Sequence, residues 1–225
     1  MTVISRSLAL FLLFPLFGFA GDDDPASTAN LVRRLAERVD QGSYSPSELR
    51  EAAERGGHAV QVAADLLDES KPERSAVLSQ LIARASRNRN AHEELLKLYD
   101  PAAHEVFYTE KGMATERKIG AVLEWKEWPP LFQAVAIRAC PRFTRDWILE
   151  RASDSSEQSV SRVASLIEEW SRWISFGNER QYRGAFLAML VTMAKGGATE
   201  DSIRLSTSIL AGIEHAHGFS ACCGS

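Results

Sequence analysis

Residues 156–174 read Ser-Glu-Gln-Ser-Val-Ser-Arg-Val-Ala-Ser-Leu-Ile-Glu-Glu-Trp-Ser-Arg-Trp-Ile, and their spacing decides the fold. Val160, Val163, Ala164, Ile167 and Ile174 fall on one helical stripe. Leu166, Trp170 and Trp173 form a second, displaced stripe at i, i+4, i+7. A surface helix needs only one apolar stripe, so this one is expected to have neighbours on both flanks. The next segment, Tyr182 to Ala194, is apolar nearly all round and is expected to be largely buried. Stacked helix layers account for both.

Helix punctuation recurs outward from there. Ser45-Pro46-Ser47-Glu48 sets a capping Ser, Pro at the first helical position and Glu at the third. Ser70-Lys71-Pro72-Glu73 predicts the same box, and Asn90 with Glu93 and Asp154 with Glu157 are variants. Gly42, Gly56-Gly57, Gly177, Gly196-Gly197 and Gly218 stand where helices should stop. Only Val106-Phe107-Tyr108-Thr109 is strand-like, and one strand makes no sheet. Helix starts are expected near 27, 46, 58, 72, 91, 101, 115, 130, 142, 156, 179 and 199. That is roughly 16 residues per helix and about 31 per antiparallel pair, close to the period of helical solenoids. The expected class is all-α, either a HEAT-like α-solenoid or a compact helical-repeat domain.

Ala134-Val135-Ala136-Ile137-Arg138-Ala139 resembles the inner helix of a HEAT-like repeat, and Ala76 to Leu81 is a looser echo. More broadly, 115–217 resembles helical-repeat segments of large exported bacterial proteins that combine a dehydrogenase-like propeller, HEAT-like repeats and a haem module. The haem signature C-x-x-C-H is missing, because Cys140 is followed by Pro141-Arg142-Phe143. The resemblance therefore implies the helical scaffold alone, without haem or redox chemistry.

Residues 1–20 read as a secretory signal. Arg6 precedes an apolar run from Leu8 to Phe19, small residues Gly18 and Ala20 close it, and Asp22-Asp23-Asp24 follows. The run is too short to span a bilayer, which takes about 20 residues. Expected organisation is a signal at 1–20, a helical subdomain at 21–100, a Trp-rich HEAT-like subdomain at 101–217 and a Cys-containing tail at 218–225. Periplasmic or extracellular location follows.

Composition narrows the function. Lys+Arg is 26 against Asp+Glu 30, a net charge of −4, which becomes −5 once Arg6 leaves with the signal. A broadly basic nucleic-acid binder is excluded, and the expected partner is a protein. No Walker loop, G-x-G-x-x-G or G-x-S-x-G occurs, so no cofactor is expected. His92-Glu93 and His104-Glu105 begin like a zinc-protease helix, but positions 96 and 108 are Leu and Tyr. An enzyme site assembled around His92, His104 and nearby acids is the alternative to a binding module.

The candidate binding residues are Arg138, Arg142 and Arg145, with Trp125 and Trp128, for an acidic or carbohydrate partner. Arg84, Arg87 and Arg89 form a second basic cluster. Tryptophan at helical spacing is also ordinary core, and that applies equally to Trp147, Trp170 and Trp173. The tail offers His215, His217, Cys222 and Cys223, donors suited to a soft metal. Against that, exported thiols oxidise and chain ends fray, so an empty tail with a disulfide from Cys140, to Cys222 first, is the expectation.

Overall fold

A computed structural model describes residues 24–86, 94, 109–174 and 179–218, and the described residues are all-α, without strands. The helices are α1 (Pro25–Asp40), α2 (Pro46–Glu54), α3 (Gly57–Asp65), α4 (Pro72–Ala85) and α5 (Glu110–Gly120). After a 3₁₀ turn at Ala121–Glu124 come α6 (Phe132–Ala139), α7 (Pro141–Arg151), α8 (Glu157–Ile174), α9 (Glu179–Lys195) and α10 (Glu200–Gly218).

Local chemistry explains where they begin. Ser45 accepts from Glu48 N at 3.4 Å while the Glu48 carboxylate accepts from Ser45 N at 2.8 Å, so the expected capping box closes. The second box does not form. Lys71 holds the cap position of α4, and Ser70 instead donates to Asp68 Oδ1 from its backbone at 2.9 Å and its hydroxyl at 2.7 Å. A carboxylate two residues back outcompetes a more distant helix start. At α8 the cap shifts to Ser156, whose hydroxyl accepts from Ser159 N at 3.3 Å, while Asp154 accepts from the backbone and hydroxyl of Ser156. Thr109, the last of the strand-like tetrad, caps α5 by accepting from Gly112 N at 3.0 Å.

The helices pack in two interleaved series. α2, α4, α6, α8 and α10 each pack on the next member, and α1, α3, α5 and α7 do the same. Neighbours in sequence, such as α3 with α4 and α7 with α8, join the two series. This is how a helical repeat stacks, each pair touching mainly its neighbours. Among the described residues one buried cluster runs from Val32 on α1 to Met193 on α9. The expected boundary between subdomains, at 100–101, lies outside the described residues; α4 and α6 pack directly across it.

Helix α8 has the predicted two-sided burial. Val163, Leu166, Ile167 and Trp170 are all at most 1% exposed, which serves α6 on one flank and α10 on the other. Close approach is needed elsewhere too: a Cβ on Gly120 would lie 2.9 Å from Phe143 Cβ, so glycine lets α5 meet α7. Helix α9 departs from expectation. Phe186, Met189 and Met193 are buried, but Leu187 is 61% and Val191 50% exposed. Its principal neighbour is α10, so the opposite face stays open.

Candidate functional site

The predicted arginines sit around the α6–α7 junction, each engaged with a different neighbour. Arg138 on α6 donates through Nη1 to the Ala83 carbonyl in the last turn of α4, at 2.8 Å. A cation there meets the negative end of α4 and ties α4 to α6. Desolvation, opposed by Glu169, lowers its pKa. Arg142 lies 5.0 Å over the Phe143 ring and approaches Met113 Sδ at 3.7 Å, joining α7 to α5. Arg145 pairs with Glu94, whose side chain is fully buried, and with Asp146 at 2.6 Å. Arg138 and Arg142 thus each link two helices, and Arg145 is held by two carboxylates.

Trp125 and Trp128 flank a loop that the core also claims. Trp125 is half-buried against the central cluster. Trp128 donates through Nε1 to the Leu123 carbonyl at 3.2 Å, and its ring centroid lies 5.7 Å from both Trp147 and Phe132. Arg162 of α8 lies over the same ring, with the guanidinium 4.6 Å from the centroid. The same side chain donates to the Lys126 carbonyl at 2.6 Å, and Gln158 donates to that oxygen at 3.1 Å. Burial lowers the Arg162 pKa. Trp147 and Trp170 are buried core, while the Trp173 side chain lies outside the described residues.

Beyond Trp128 the chain makes a tight turn. Phe132 N donates to the Pro129 carbonyl at 3.1 Å, with Pro130 and Leu131 at the two central positions. Leu131 has φ 64° and ψ 12°, the left-handed conformation that such a turn demands of its third residue. Glycine or asparagine normally fills it. This leucine is also 58% exposed, so neither backbone nor burial favours it.

No family model, curated protein or solved structure matches this chain.

Other candidates are placed less fully. His92, His104, Arg87, Arg89, Cys222 and Cys223 lie outside the described residues, as do the side chains of His215 and His217 at the end of α10. Among the described residues no three His, Cys, Asp or Glu side chains are grouped to hold a metal. Cys140 is fully buried where α6 gives way to α7, with Sγ 3.7 Å from Thr144 Oγ1. Burial pushes its pKa far above that of an ordinary thiol, leaving a neutral and unreactive sulfur. Its expected partner Cys222 is beyond the described region.

Sequence reasoning missed Arg162, Glu94 and Leu131. Pro129-Pro130 was the available signal for a turn, and a non-glycine after a proline pair the signal for strain. Nothing local marked Arg162 as the cation over Trp128. Among the described residues, the large apolar side chains turned most fully outward are Leu131, Leu187 and Val191. No described helix is long and apolar enough to cross a membrane.

Proposed function

We propose that this chain is an exported helical-repeat protein that works by binding another protein rather than by catalysis. The carrying observation is the outer face of α9, where Leu187 and Val191 stand one turn apart in solvent, opposite buried Phe186, Met189 and Met193. A helix apolar on both sides is the pattern of a helix covered on both sides. Exposed large apolar side chains grouped on one element are characteristic of contact surfaces. Export rests on residues 1–20, whose charge, apolar run and small-residue end have the form of a cleaved signal.

The test is recovery of the tagged protein from the extracytoplasmic fraction of cells expressing it. Its amino terminus should lie near Gly21, and wild type should retain a defined protein that the Leu187→Asp, Val191→Asp double variant loses. Unchanged circular dichroism and melting temperature in that variant would separate lost binding from lost fold. An intact Met1 would overturn export, and equal retention by both proteins would overturn the assignment of α9.

A further inference from the structure

No further inference is drawn: the strongest candidate, the Leu187–Val191 face of α9, belongs to the surface already described, and nothing in the structure shows what covers it.

Discussion

Residues 24–86 and 109–174 fasten their helices by different devices. In the first region the corners carry ion pairs whose carboxylates stay partly open to water. Arg38 pairs with Glu48 between α1 and α2, while Lys71 and Arg74 reach Asp40 at 2.8 and 3.3 Å between α4 and α1. In the second, cations are spent on partly buried targets: a helix-end carbonyl for Arg138, an indole face for Arg162, a buried carboxylate for Arg145. Exposed pairs are screened by water and salt and hold long side chains at an entropic cost. Cations withdrawn from water interact more strongly, and losing one leaves its partner badly solvated. Arg38 should therefore tolerate a substitution that Arg145 does not.

The sharpest test of this contrast is Arg145→Ala against Arg38→Ala. Removing Arg145 strips a cation from a fully buried Glu94 and should cost about 3–5 kcal/mol. Removing Arg38 should cost a small fraction of that. Urea denaturation of both variants measures the difference, and equal midpoints would break the comparison.

Next comes the apolar frame of α8. Ile167→Ala empties a site that is 1% exposed and should cost about 2–5 kcal/mol. Glu168→Ala, one residue on and at the surface, should change little. Similar losses from the two would mean the helical phase is wrong.

The Pro129–Phe132 turn should respond in the opposite direction. Leu131→Gly removes a strained side chain from the left-handed position and an apolar group from water. It should raise stability by up to about 1 kcal/mol, read as a higher melting temperature. A lower one would show that the leucine packs against something that stabilises the fold.

Acid should separate the regions last and most gently. Glu48 has its pKa lowered by the Ser45 backbone N–H and then Arg38, Asp40 by Lys71 and then Arg74, and Asp68 by the hydroxyl and backbone of Ser70. In the second region the Asp154 carboxyl is held below its ordinary pKa by the Ser159 hydroxyl and the Ser156 N–H. A carboxylate whose folded pKa is depressed contributes stability above its unfolded value, near 4. That contribution fades as pH falls through the lower folded value. Amide exchange compared between pH 5 and pH 3 should show α1, α2 and α4 loosening before α6 and α8. Uniform loosening would remove the distinction.

What could be read from the sequence was local. Pro46 and Pro72 mark helix starts because proline fixes φ at the first helical position. The two stripes of α8 announced its two flanks because periodicity encodes how many faces are covered. The site was less legible. Arg138 chooses a carbonyl 55 residues away, and no spacing rule predicts that choice. Ser70 failed as a cap because Asp68 offered a nearer partner. Composition marked α9 as apolar, but which side another helix covers depends on packing distant in sequence. The open side is therefore visible only in three dimensions.

Cys140 turns the interior of this stack into a clock. In a chain carrying Cys222→Ser and Cys223→Ser it is the sole thiol, and it is inaccessible while α6 and α7 stay closed over it. An alkylating reagent must wait for those helices to part before it meets a thiolate. When the reagent is concentrated enough to react faster than the helices reclose, the labelling rate reports how often the centre of the stack opens. Exposed thiols at chain ends report only the chemistry of the reagent; this one counts openings.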